Sequence, residues 1–249
     1  MGIIASVLER RRIAVFTAVA VCVVTWSVVA PHVDPVSKWP TIAIASLGVI
    51  PMTLVLVLIA LPLWPQRWLL PAAVVLVLVA LGLWMLGWHL PANFAKLGAA
   101  VCVGWAFLWL FERLSWVLLV AVVVPFVDLI SVWRGPTQHI TAHHFSVYAD
   151  VAIAFPLPGG GAYSFGPPDI LFFALFLGAA ARWQLRTTWT WVAMTAMYSS
   201  TVVIALNTRF HGLAGLPFLS FGFLVANGDL LWRAMRRSED SSESSPASS

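Results

Sequence analysis

Apolar residues along this chain come in runs of about twenty, separated by short polar or proline-bearing punctuation. At ~1.5 Å per helical residue, such a run crosses a bilayer core of ~30 Å. The pattern predicts eight helices, at about 13–30, 41–63, 69–88, 93–111, 115–133, 165–183, 188–206 and 213–232. Residues 1–233 then form one transmembrane domain, an all-α polytopic bundle. Residues 234–249, rich in serine and free of aromatics, read as a disordered tail. Arg10–Arg12 before the first run resembles the start of a signal peptide. The run is long, however, and "WSVVAPH" is a poor cleavage site, so a retained first helix is expected.

Composition agrees. Of 249 residues, 61% are hydrophobic and only 10% are charged, against roughly a quarter charged in soluble domains. The basic pI would fit nucleic acid, but the Lys and Arg residues flank the apolar runs instead. With the N-terminus inside, one face receives Arg10, Arg11, Arg12, Arg67, Arg113, Arg182, Arg186, Arg233, Arg236 and Arg237. The other receives Lys38, Lys96, Arg134 and Arg209. The positive-inside rule therefore puts both termini in the cytoplasm. An integral protein of a prokaryotic plasma membrane is expected, with lipid contacts and no nucleic-acid partner. Cys22 and Cys102 lie in apolar runs and form no disulfide or zinc pattern.

Acidic residues inside a span are costly and point to function. Three qualify: Asp128, Asp169 and Asp229. Asp229 precedes Arg233 by one helical turn, and an interfacial ion pair is expected there. Asp128 lies near the outer end of the fifth helix, and Asp169 near the outer end of the sixth. The chain leaves the membrane after the first and re-enters before the second, so the two carboxyls lie at similar depth on antiparallel helices. Side by side in a dry site, two acids share one proton and titrate as a unit. Aspartic proteases activate water in this way. The alternative is two unrelated polar residues, each bonded to its own neighbour. In "FGPPDILFF", Pro167 and Pro168 are expected to start a helix from whose first turn Asp169 projects.

The stretches "FVDLISVWRGP" and "FGPPDILFFALFLGAAARW" resemble the two catalytic helices of the presenilin and signal peptide peptidase family, the GxGD-type intramembrane aspartyl proteases. Asp128 matches the first aspartate of that family. Gly166 and Asp169 match the first and last positions of its second motif. "GLAGLPFLSFGFL" resembles the region of its third motif, with Pro217, Phe218 and Leu219 nearest to P-A-L, preceded by Leu216. The resemblance covers residues 115–232, and the orientation is that of signal peptide peptidase. It implies an endopeptidase that cuts single-span segments or remnant signal peptides, with Asp128 and Asp169 catalytic and no metal or organic cofactor. Val127 stands where the family has tyrosine, and Pro168 where it has glycine. The pattern therefore also fits a catalytically silent member that binds substrate. A third class, a small transporter relaying protons through the aspartates, lacks a repeat or paired broken helices.

The loop at 134–164 adds a further element. In "FSVYADVAIAF", Phe145, Val147, Val151, Ile153 and Phe155 share one side of a period-two pattern, and "PLPGGG" ends it. A strand or hairpin is expected, with an edge that can accept extended substrate; Val151 and Ile153 are its candidate binding residues. His139, His143 and His144 are read as solvated or interfacial rather than metal-ligating, and Lys96 as a snorkelling lysine.

Overall fold

A chain in hydrocarbon must satisfy its backbone polar groups within its own segment, which turns the apolar runs into helices. The computed structural model describes residues 2–134, 150–207 and 214–243. Helix α1 is Gly2–Val29 and ends in a 3-10 turn at Ala30–His32. Its start precedes the expected one because Leu, Glu and Arg continue a helix without a breaker. The second run divides into α2 (Lys38–Ala43), a π-helical turn (Ile44–Val49) and α3 (Ile50–Ala60). Pro51 has no N–H to return to the preceding turn, and the wider turn there accommodates this. The Ser46 carbonyl accepts a hydrogen bond from the Ser199 hydroxyl at 2.8 Å.

Helix α4 (Leu69–Met85) stops at Gly87, whose φ of 76° suits a glycine that ends a helix. Helices α5 (His89–Leu108) and α6 (Leu114–Arg134) follow. Next come strands β1 (Ile153–Pro156) and β2 (Ala162–Phe165), joined by a turn at Pro158–Gly160. They form an antiparallel hairpin that pairs Ile153 with Phe165 and Phe155 with Tyr163. The chain ends in α7 (Pro167–Arg182), α8 (Thr187–Asn207) and α9 (Leu216–Glu243).

Two expectations are corrected here. The last helix does not stop near 232, because the Arg- and Glu-bearing stretch after it continues to Glu243 without a proline. The strand begins at Ile153; Val151 is still in a helical turn. Phe145, Val147, the three loop histidines and residues 244–249 lie outside the described residues.

Helix α7 is the centre of the bundle. From Phe173 to Ala180 every residue is buried, as expected of a helix that is apolar all round. Helix α5 packs along one side of it, α8 and α9 along others, and α4 lies outside α5. Close approach depends on small residues. A Cβ on Gly104 of α5 would collide with the Leu171 carbonyl of α7, and one on Gly222 of α9 would lie 2.7 Å from Met194 Cα of α8. Phe176 stacks on Phe223 with centroids 4.9 Å apart. Outward, α4 exposes Val74, Leu78 and Leu81, and α6 exposes Val122, Phe126 and Ile130. Apolar faces of this kind suit lipid. Among the described residues, four helical stretches are long and apolar enough to cross a membrane: Glu9–His32, Lys38–Leu63, His89–Leu108 and Leu114–Ser131. The chain is mostly helical and compatible with an integral membrane protein.

Candidate active site

Asp169 owes its position to the sequence just before it. Gly166 caps α7 with extended backbone (φ −67°, ψ 135°), and Pro167 and Pro168 occupy the first turn, where no N–H partner is needed. The Asp169 N–H returns to the Gly166 carbonyl at 3.0 Å, so the carboxyl projects from the first turn as the sequence suggested. A Cβ on Gly166 would sit 3.0 Å from Asp169 Oδ2.

Asp128 comes from α6, three residues after Pro125 in the middle of that helix. Its Oδ2 accepts a hydrogen bond from the Leu216 N–H at 3.1 Å. The start of α9 therefore reaches Asp128 directly. The residue before Leu216 reaches the other acid: a Cβ on Gly215 would lie 2.8 Å from Asp169 Oδ1. Both aspartates thus abut one dipeptide, Gly215–Leu216. Helices α6 and α7 touch each other only lightly, while α9 packs against both. The acids converge through α9, not by lateral packing of their own helices.

Two tyrosines complete the arrangement. Tyr198 of α8 donates its hydroxyl to Asp169 Oδ2 at 2.8 Å, and Tyr163 of β2 lies beside Tyr198. Phe165 stacks flat on Tyr198, with centroids 5.7 Å apart. Leu54, Ile170, Phe173 and Leu219 close the apolar wall around Asp169. Among the described residues, neither aspartate has a basic side chain at ion-pair distance. Each acid sits at the start of a helix, Asp169 at its own and Asp128 at that of α9, where the helix dipole is positive. Such a pair supplies two carboxyl groups, the residue type that serves as general acid and general base.

The remaining expected site residues divide. Leu216 acts through its backbone, and Leu219 is buried against Asp169. Pro217 lies in the first turn of α9, and the Phe218 N–H caps back onto the Gly215 carbonyl at 3.1 Å. Ile153 cannot meet a ligand with its side chain, because it is wholly buried on the inner face of the hairpin. Val151 is exposed, but it lines a separate apolar cleft of about 810 Å³ between α4, α5 and α7, which also contacts Pro167 and Pro168.

Lys96 is held by backbone partners. Its amine donates to the Asp150 carbonyl and, at 3.2 Å, to that of Ala152, because β1 lies against α5. Asp229 pairs with Arg186 rather than Arg233. The guanidinium is bidentate, at 2.8 and 2.9 Å, because the start of α8 packs on α9. Tyr198, Tyr163 and Gly215 went unread in the sequence. A lone tyrosine within the apolar run at 188–206 was the available signal for Tyr198.

Comparison of the chain with family models, with curated proteins and with solved structures gives no match.

Proposed function

We propose that this chain is an intramembrane aspartyl endopeptidase with eight membrane-crossing helices and both termini cytoplasmic, in a prokaryotic plasma membrane. The observation that carries this reading is the convergence of Asp128 and Asp169 on Gly215–Leu216. In the proposed reaction one carboxylate takes a proton from water, and the water oxygen attacks the scissile carbonyl carbon. The protonated partner gives its proton to the carbonyl oxygen. Collapse of the tetrahedral intermediate breaks the C–N bond: the amine nitrogen receives the proton held by the base, and one diol hydroxyl returns its proton to the partner carboxylate. Residue-level support extends to Tyr198 and the Leu216 N–H, which each fix one oxygen of an acid.

A single-span substrate or remnant signal peptide must unwind before its peptide bond can be reached, and its freed backbone then needs partners. The hairpin offers them. In β2, Ala162 and Ser164 turn their backbone groups away from β1, and among the described residues nothing bonds to that edge. An extended peptide added there lies beside Tyr163, next to Tyr198 and Asp169.

The test is cleavage of a model transmembrane peptide in detergent, read by mass spectrometry. Asp128→Asn and Asp169→Asn are each expected to reduce cutting to background. Undiminished cutting by either variant overturns the reading. A second reading, a binding protein without turnover, is favoured by one feature: Phe165, Tyr198 and Leu219 wall in Asp169. Wild-type peptide binding with no product at any pH selects it.

A further inference from the structure

A two-stranded sheet has two edges, and here they are treated differently. On β1, Ala154 and Pro156 point their carbonyls away from β2, as does Ala152 just before the strand, and each carbonyl is taken by a side chain. Lys96 donates to Ala152 at 3.2 Å, Asn93 to Ala154 at 2.7 Å, and Trp26 to Pro156 at 3.1 Å. Lys96 also holds the carbonyl of Asp150. Pro156 removes an N–H from the same edge. Asn93 and Lys96 lie one turn apart on α5, and Trp26 comes from α1. The hairpin turn is pinned too: the Gly159 N–H bonds the Val33 carbonyl at 3.1 Å, and a Cβ on Gly159 would lie 2.9 Å from Pro35. A bare strand edge accepts any passing strand, and these side chains remove that option from β1.

We propose that Asn93, Lys96 and Trp26 are positioning residues that hold β1 by alternate carbonyls, confine an incoming peptide to β2, and so fix which peptide bond faces the aspartates. The inference rests on the protease reading and deepens it. The ligand is an extended peptide held mainly by main-chain hydrogen bonds, hence tolerant in sequence. Its inward-facing residues continue the surface of Tyr163 and Phe165 and are therefore apolar. Register matters because a strand shifted by one residue turns every side chain to the opposite face. A misplacement of about 1 Å at the scissile bond costs on the order of a hundredfold in rate.

The experiment has two arms. In the first, products of one model transmembrane peptide are mapped by mass spectrometry for wild type, Lys96→Arg and the double variant Asn93→Ala/Lys96→Met. Wild type and Lys96→Arg are expected to cut one dominant bond. The double variant is expected to spread cutting over neighbouring bonds, with kcat down by roughly tenfold to a hundredfold. An unchanged cleavage site and kcat in the double variant overturn the proposal while leaving the protease reading intact.

The second arm needs no turnover. Starting from the variant with both native cysteines replaced by serine, a cysteine-bearing peptide is tested for disulfide capture by Ser164→Cys and by Ala154→Cys. Capture at 164 alone is expected, with capture at 154 appearing only once Asn93 and Lys96 are replaced. Equal capture at both positions, or none at either, overturns the proposal whether or not the protein cuts.

Discussion

The hydroxyl of Tyr198 meets Oδ2 of Asp169 at 2.8 Å, and Phe165 lies flat against the same tyrosine ring. The hydrogen bond fixes the carboxyl and the stack fixes the ring, so the two effects are separable. Tyr198→Phe removes the bond and keeps the stack. A hydrogen bond to a charged group contributes about 1.5–3 kcal/mol, so kcat is expected to fall by roughly tenfold to a hundredfold. KM is expected to stay close to wild type, and Tm to fall, since a buried carboxyl oxygen loses a partner. Steady-state kinetics with a thermal melt check this, and an unchanged kcat would remove Tyr198 from the site.

Gly215 lies against Asp169, next to the Leu216 N–H that bonds Asp128, and it has no room to spare. A Cβ there would approach both Asp169 Oδ1 and Tyr198 Cε2 at 2.8 Å. Gly215→Ala is therefore expected to cost on the order of a hundredfold in kcat/KM by displacing the carboxyl. Gly228→Ala in the same helix supplies the control. Nothing lies within 4 Å of its Cβ position, and alanine gains about 0.5–1 kcal/mol of helix stability there. Cleavage assays and melts of both variants distinguish a local clash from a general effect on α9.

Gly104 marks the crossing of α5 and α7. A Cβ would run into the Leu171 carbonyl, which is backbone and cannot rotate aside. Overpacking of this kind costs about 1–3 kcal/mol, so Gly104→Ala should lower Tm and the yield of folded protein in detergent. Size-exclusion chromatography and a melt report both.

At the opposite end of α7, two contacts between α8 and α9 are expected to behave unequally. Asn227, fully buried, accepts from the Arg186 N–H at 3.1 Å and donates to Thr190 Oγ1 at 2.7 Å. Asn227→Ala leaves that N–H without its partner and should cost about 1–3 kcal/mol. The Arg186–Asp229 pair is bidentate but exposed, with side chains 48% and 43% accessible. Exposed pairs are screened, and Asp229→Asn is expected to leave Tm nearly unchanged. A melt of the two variants side by side decides which contact holds the helices.

Much of this arrangement was readable from local pattern. Apolar runs of bilayer length marked the helices, and Gly166-Pro167-Pro168 marked the start of α7, because capping is set by a few adjacent residues. The breaker cluster at 156–161 marked the hairpin turn for the same reason. What stayed hidden depends on contacts between distant elements. No spacing within α8 tells that Tyr198 faces Asp169. Lys96 reads as an interfacial lysine until β1 is laid against α5. Asp229 offered two arginine partners, one a turn away and one on another helix, and the distant one prevailed because the bidentate geometry is available only there. The start of the strand was placed too early at Val151, while its phase at Ile153 and Phe155 was read correctly, since the period-two pattern continues through a helical turn that only tertiary packing defines.

The enclosure of α7 bears on how the protein is made. From Phe173 to Ala180 its surface belongs to neighbouring helices, so little of it is left to bargain with lipid on its own. Because α8 and α9 are synthesised after it, the segment carrying the second acid must wait for later parts of the chain before its final seat exists. Biogenesis and the geometry of the two acids therefore coincide: Asp128 and Asp169 have no common neighbour until α9 has packed.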